Sequence, residues 1–383
     1  MKKENNNKTR LLVLMPSMVG GGAERILINI FNNLSSSQYL IDLVVFEKKG
    51  DLWDAIPKHI NKRLIKLPNI LSKIGQILYR KYGWTFLLQY YASKIIGNYD
   101  VGISYFDSMY NNLLYISRAS VAKKITTIHS SYRSYDNRSR FIQGSHFKRM
   151  MKRYDEMDHI ICVSHEVEKE FNSFFNQNSK TQVIYNPMNS EDVIRKSNSR
   201  KFMLDANDVF HFTAIGSLIP VKGFELLIGA ANLLKEEGLN FKLNIIGSGQ
   251  LKEKLSDLIV GYDLQNFVKL WGFQSNPYSI LKQSGALVIS SKTEGLPTVL
   301  CEAMILGKAC IVPDITGCRE VSNNGEFALQ VARTPQGFFK GMKRFIENAE
   351  LRKKYENKSK QRSVIFNDTL AINNYIQLFN EKQ

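Results

Sequence analysis

Short apolar runs of strand length alternate along the whole chain with longer stretches whose apolar residues recur at helical spacing. In the first half the runs are Leu11–Met15, Leu40–Phe46, Arg63–Leu67, Val101–Phe106, Ile125–His129, Ile160–Val163 and Gln182–Tyr185. In the second half they are His211–Ile215, Lys242–Ile246, Val268–Leu270, Ala286–Ser290, Ala309–Val312 and Ala328–Val331. The first run passes through Gly20–Gly22 into a helix expected over Ala23–Leu34. Runs that are apolar without polar alternation belong to strands buried on both faces, and intervening helices imply parallel crossovers. Between the two sets, Asn186–Lys201 is rich in Asn, Ser and charge and poor in apolar residues, so it is expected to be an interdomain linker. The expected fold class is α/β, with two Rossmann-like domains in tandem facing a central cleft. Residues 1–190 form the first domain and 191–365 the second, and 366–383 form a C-terminal helix that returns to the first. Sheets of this type bind ligands outside the carboxyl ends of their strands, which makes a cleft between two of them the expected site.

Length and composition agree with that picture. At roughly 100–200 residues per domain, 383 residues make two domains. Four cysteines (Cys162, Cys301, Cys310 and Cys318) form no C-x-x-C pair, so neither a zinc site nor a disulfide scaffold is expected, and a reducing compartment fits. No apolar run is long enough to span a bilayer. Lys2, Lys3, Lys8 and Arg10 precede Leu11–Met15 in the manner of a signal peptide. The run is short, Pro16 interrupts it and no small-residue cleavage site follows, so a buried strand and a cytoplasmic location are expected.

The charge is uneven. The chain carries a formal +17, of which residues 1–190 hold +12. From Ala55 to Tyr99 there is no acidic residue, while Lys58, Lys62, Arg63, Lys66, Lys73, Arg80, Lys81 and Lys94 are interleaved with Ile74, Ile77, Leu78, Trp84, Phe86, Leu87 and Tyr90. Residues 55–99 therefore read either as an anionic-membrane surface or as the solvated face of a basic protein. Nucleic acid is not expected, because no readout motif accompanies the charge.

Four loops carry candidate chemistry. Gly20-Gly21-Gly22-Ala23-Glu24-Arg25 joins the first strand to the first helix; it is neither a P-loop nor G-x-G-x-x-G, and a tight turn explains it as well as a ligand does. Gly216-Ser217-Leu218-Ile219-Pro220-Val221-Lys222-Gly223 places a lysine just before a helix N-terminus. A cation there does not help the helix, but it fits an anion held by that helix end. Ile246-Gly247-Ser248-Gly249 repeats the strand-glycine-helix pattern. In Glu294-Gly295-Leu296-Pro297-Thr298-Val299-Leu300-Cys301-Glu302-Ala303-Met304, Pro297 suits the first turn of a helix. Glu294 and Glu302 would be ~12 Å apart if the intervening chain were all helical. Two carboxylates so placed can accept hydrogen bonds from two parts of one long ligand.

That last block, with its Glu-x7-Glu core, resembles the donor-site signature of retaining glycosyltransferases of the GT-B fold, family 4 type. The Gly-Gly-Ala-Glu-Arg opening, Asn186-Pro187, Lys222-Gly223, Gly247-Ser248-Gly249 and Trp271-Gly272-Phe273 resemble the family in the same order. The resemblance implies a hexosyltransferase that uses a nucleotide-sugar donor, a glycan or lipid-linked acceptor and no metal or cofactor, in cell-surface polysaccharide synthesis. It implies that Glu294 holds sugar hydroxyls, with the backbone of Gly295, of Leu296 and of the residues beside Pro297. Glu302 would hold the ribose, Lys222 the diphosphate and the Phe273 backbone the base. Gly247 and Gly249 belong to the donor loop, Gly21 and Gly22 to the phosphate-facing turn, and His129 to the surroundings of the donor sugar. Ser217 departs from the pattern, because the family carries arginine at that position. The loss removes one charge-assisted partner, worth ~1.5–3 kcal/mol unless another cation such as Arg319 replaces it. No Asp-x-Asp occurs in the chain, which agrees with metal-independent transfer. Two other readings compete: a non-catalytic GT-B-like accessory subunit or chaperone of a transferase, favoured by Ser217, and a sugar-nucleotide epimerase on the same fold.

Overall fold

The computed structural model describes residues 8–381 except 20, 49, 51, 67, 133–144, 199–203, 205–208 and 367. Gly20, the Leu67 end of one expected strand and residues 199–201 of the expected linker thus lie outside the described residues. The chain divides into two compact units. The first runs to Pro187 and resumes at Thr369; the second is Met188–Asp368.

The first unit is built on a seven-stranded parallel sheet. Its strands are β1 (Thr9–Ser17), β2 (Tyr39–Lys48), β3 (Asn61–Leu64), β4 (Ile96–Ser104), β5 (Arg118–Ile128), β6 (His159–Cys162) and β7 (Thr181–Val183), in the order β3-β2-β1-β4-β5-β6-β7. Leu11–Met15 are fully buried because β1 is central and covered on both faces. The helix Gly22–Asn33 turns Ile26, Leu27, Ile30 and Phe31 inward, the stripe that a 3.6-residue period produces. The C-terminal helix Asp368–Asn380 belongs to this unit. It buries Ala371, Ile372, Tyr375, Leu378 and Phe379. The buried Lys123 of β5 donates to the carbonyls of Leu378 (2.7 Å) and Glu381 (2.5 Å), so a cation meets the negative end of the helix dipole.

The second unit has a six-stranded parallel sheet: β8 (Phe210–Ile215), β9 (Phe241–Ile246), β10 (Val268–Leu270), β11 (Ala286–Val288), β12 (Ala309–Pro313) and β13 (Leu329–Val331), in the order β10-β9-β8-β11-β12-β13. Counted within the unit this is 3-2-1-4-5-6, the Rossmann order. Phe212, Ala214, Leu243, Ile245, Val288 and Ile311 from the strands pack with Leu227, Ala231 and Leu234 from the helix Phe224–Glu236. Strand order reverses between β8 and β11, and between β1 and β4 in the first unit. The loops leaving such a pair diverge to opposite faces, and a crevice opens at their carboxyl ends.

The strands and helices fall where the hydrophobic pattern puts them, and the differences have local causes. Part of Asn186–Lys201 is helical rather than linker. Asn189 accepts the Asp192 N–H (2.8 Å) and caps a helix over Ser190–Ser197, which buries Val193 and Ser197. Strand β11 stops at Val288 rather than Ser290. The carbonyls of Ser290 and Ser291 accept from the Arg333 side chain (3.1 Å each) instead of continuing the ladder. The third strand runs Asn61–Leu64, and Ile65 adds one more bond to Val45 (2.8 Å). Pro297 sits at the N-cap of the helix Thr298–Ile305, one residue before its first turn. All four cysteines are buried and free.

Candidate functional site at the switch point of the second sheet

The loop after β8 ends in a single tight turn, Pro220–Lys222, followed by Gly223 at φ 64°. A side chain at Gly223 would place its Cβ 2.6 Å from the Ser290 carbonyl oxygen, so both the left-handed backbone and the close approach require glycine. The loop after β11 lies directly alongside. The Ser290 hydroxyl donates to the Lys222 carbonyl (2.8 Å), and the Lys292 N–H donates to the Val221 carbonyl (2.7 Å). These contacts bring Lys222 Nζ to 2.5 Å from Glu294 Oε1, which also accepts from the Ser291 hydroxyl at 2.6 Å. Both side chains remain partly exposed, 26% for Lys222 and 17% for Glu294. An ammonium and a carboxylate thus stand on either side of the β8–β11 switch point. One can neutralise a phosphate and the other can accept hydroxyl hydrogens.

Two further loops are stitched to the first through their backbones. Leu218 donates to the Ser248 carbonyl (2.8 Å), Leu251 donates to the Leu218 carbonyl (3.0 Å), and Gly247 donates to the Gly272 carbonyl (2.9 Å). Gly247 (φ 150°) and Gly249 (φ 156°) pass so close to this loop that a Cβ would lie 1.8 Å from the Gly216 oxygen and 2.5 Å from the Leu218 oxygen. Ser217 is exposed on this rim, and Phe273, just beyond Gly272, is 45% exposed.

Other expected site residues are held separately. Glu302 is buried and accepts from the Tyr278 hydroxyl at 2.8 Å, so its carboxylate is braced by another helix rather than by Lys222. Leu296 turns its side chain inward. The backbone of Glu294 and Gly295 rests against Gly317, whose N–H donates to the Glu294 carbonyl (3.1 Å) and where a Cβ would lie 2.6 Å from the Gly295 oxygen. Arg319, the expected substitute for the arginine missing at Ser217, is paired with Asp314 at 2.8 Å.

Sequence reasoning missed Arg333, Ser290, Ser291, Gly317 and Tyr278. Arg333 touches the site most directly. Its Nε–H bonds the two serine carbonyls, and its guanidinium lies where a Gly223 Cβ would meet it at 2.7 Å. The Ser-Ser pair at the end of an apolar run was a usable signal; a lone arginine after β13 was not.

In the first unit, Gly21 is the extended N-cap of the helix Gly22–Asn33. Glu24 folds back over it, and a Cβ on Gly21 would be 2.5 Å from Glu24 Oε2. Burial raises the Glu24 pKa, and backbone N–H groups at Glu24 and Gly21 oppose the rise. His129 follows β5, with Nε2 at 2.8 Å from the Tyr105 carbonyl. Burial pushes its pKa down to about 4, against the pull of that carbonyl. The neutral ring must carry its hydrogen on Nε2 to make this bond, which leaves Nδ1 as an acceptor. Among the described residues, no three His, Cys, Asp or Glu side chains gather closely enough to hold a metal ion.

Two parallel-sheet α/β domains, each with its own strand-order reversal, are the components of the GT-B fold. Solved structures share the fold across nearly the whole chain. Anabaena HepE, solved with UDP and glucose, aligns at TM-score 0.75 with 17% identity over 97% of this chain and 98% of its own. WaaG, a glycosyltransferase involved in lipopolysaccharide biosynthesis, aligns at 0.72 with 12% identity over 97% and 100%. The model for glycosyl transferases group 1 matches residues 195–362, and that for glycosyltransferase family 4 matches residues 20–192. The two halves of the chain thus each match a glycosyltransferase family model, the first half that of family 4. An uncharacterised glycosyltransferase of Methanocaldococcus jannaschii is 37% identical over 173 residues, 44% of this chain and 43% of that protein. The Campylobacter jejuni N-acetylgalactosamine-N,N'-diacetylbacillosaminyl-diphospho-undecaprenol 4-alpha-N-acetylgalactosaminyltransferase is 32% identical over 189 residues, 49% and 50% of the two chains. The matched stretch spans about half the length of these curated relatives.

Proposed function

We propose that this chain transfers a sugar from a nucleotide-sugar to a glycan or lipid-linked acceptor in cell-surface polysaccharide synthesis. The reading adds that the anomeric configuration is retained and that no metal ion takes part. The observation that carries it is the Lys222–Glu294 pair across the β8–β11 switch point. In this scheme the bond between the anomeric carbon and the β-phosphate oxygen breaks, and negative charge develops on that phosphate. Lys222 leaves Glu294 to meet the charge, which is stabilisation aimed at the transition state. Glu294, still fixed by Ser291, accepts from the sugar hydroxyls, and Glu302, braced by Tyr278, accepts from the ribose. The loop carrying Gly247 and Gly249 and the Phe273 backbone border the nucleotide. The acceptor oxygen attacks the anomeric carbon from the face the phosphate leaves, and its proton passes to the departing phosphate oxygen. The part played by His129, Gly21 and Gly22 rests on the family resemblance.

The test is a thermal-shift screen against UDP-, GDP- and ADP-sugars, followed by transfer assays with the sugar that binds. Glu294→Ala and Lys222→Met are each expected to lower turnover about 10²-fold or more. Activity is expected to survive a chelator, and the product is expected to keep the donor's anomeric configuration by NMR. Strict dependence on added manganese would overturn the metal-free scheme. Absence of both binding and transfer would leave the accessory-subunit reading.

A further inference from the structure

We infer that the outward face of the helix Asn69–Tyr82, with the aromatic turn after it, docks this chain onto an anionic lipid bilayer. This goes beyond the transfer reaction and says where it takes place. The helix turns apolar residues to solvent: Ile70 is 73% exposed, Ile77 60%, and Leu71 and Ile74 nearly half. Ile70, Ile74 and Ile77 are spaced four and three apart and form one stripe. Tyr82, Trp84 (60% exposed) and Phe86 extend it beyond the helix, with the Tyr82 and Trp84 rings 6.3 Å apart.

The orientation is held from beneath. Gly75 admits Leu87 and Phe86 so closely that a Cβ would lie 2.9 Å from Leu87. The buried Tyr79 hydroxyl accepts from Asn112 (2.9 Å) and Arg153 (3.4 Å), and the Arg149 guanidinium lies over its ring. The apolar stripe therefore faces out because the other side of the helix is anchored.

The charge around the stripe selects the occupant. No acid occurs between Ala55 and Tyr99, and Lys66, Lys73 and Lys94 are exposed there, with Arg80 and Lys81 in the same helix. Folding adds a second basic helix, Ser145–Asp155. Its Arg149 packs on Tyr79, and its Lys148 and Lys152 are exposed. Asp155, at the end of that helix, accepts from Gln177 (2.8 Å). A nucleic acid would match the cations but not the isoleucines, and a neutral apolar partner would match the isoleucines but not the cations. An anionic bilayer matches both, with aromatic side chains at the depth they favour. No helix among the described residues is long and apolar enough to cross a membrane, so the contact is peripheral.

The test uses the full chain and vesicles of phosphatidylcholine with or without phosphatidylglycerol. Sedimentation is expected with the anionic vesicles only, and salt is expected to weaken it. Trp84 fluorescence is expected to shift to the blue on binding, a shift that Trp84→Phe removes. The double variant Ile74→Ser and Ile77→Ser is expected to bind at least about tenfold more weakly, since affinity follows buried apolar area. Its melting temperature and nucleotide-sugar binding should match the wild type, because both residues are exposed and lie outside the second unit. Equal binding to neutral vesicles, or no binding, overturns the inference. So does a dimer seen by light scattering that the same double variant dissolves, since a second copy would then cover the face. Nucleotide-sugar binding without vesicle binding would refute the docking alone and leave the transfer reading intact.

Discussion

Arg333 donates to two successive carbonyls, and the hydroxyls of the same two serines hold Lys222 and Glu294. It acts on the site through them, as a positioning residue. Arg333→Met leaves two carbonyls without their donor, at ~1–3 kcal/mol for each group left unpaired in the interior. A lower melting temperature and weaker nucleotide-sugar affinity by calorimetry are expected together, with partial recovery in Arg333→Lys. An unchanged affinity would reduce Arg333 to a stabilising role. His129 offers a pH test. Its folded pKa of about 4 lies below the ordinary 6.5, so the unfolded chain binds a proton that the native ring refuses between those values. Stability from this group is therefore complete above pH 6.5 and is lost as the pH falls towards 4. His129→Gln keeps an N–H donor but cannot titrate. Denaturant midpoints of the variant should fall less steeply over that window, and parallel curves would refute the assignment.

At the level of elements, the hydrophobic runs located the central strands of both sheets, because a strand buried on two faces leaves an uninterrupted apolar record, whereas the edge strands Asn61–Leu64 and Thr181–Val183 are largely polar and only partly buried. Strand ends were less legible. Ser290 continues the apolar run of β11, yet Arg333, brought in from beyond β13, takes its carbonyl. The helix Ser190–Ser197 was hidden because it buries little and its composition reads as a loop. The C-terminal helix rests on a contact that no local pattern announces, Lys123 against its last carbonyls. Lys123→Met keeps the buried stem but removes both charge-assisted bonds. A loss of ~1.5–3 kcal/mol is expected. Hydrogen exchange should quicken at residues 368–381 while the helix Phe224–Glu236 keeps its protection. Uniform loss of protection would mean that the lysine supports more than this helix.

For the molecule as a whole, two compact units with their own sheets can respond separately to ligand. If the second unit holds the nucleotide-sugar, as proposed, its stability rises by about 2.7 kcal/mol at 100 times the dissociation constant. Trp271 lies in the second unit and Trp53 and Trp84 in the first. In a Trp53→Phe, Trp84→Phe variant, the unfolding followed by Trp271 should move up with ligand. The transition seen by Trp53 and Trp84 in a Trp271→Phe variant should move less. Equal shifts would show that the two units melt as one. By itself the sequence determined the parallel α/β architecture, the family, and the loops that carry Lys222 and Glu294. Period and glycine placement are local properties, written wherever a strand meets a helix. Only the tertiary structure decided that Lys222 and Glu294 form an ion pair across a strand-order reversal, that Arg333 stands behind them, and that isoleucines of an amphipathic helix point outward. Each of these depends on which distant segments become neighbours, and no segment encodes that alone.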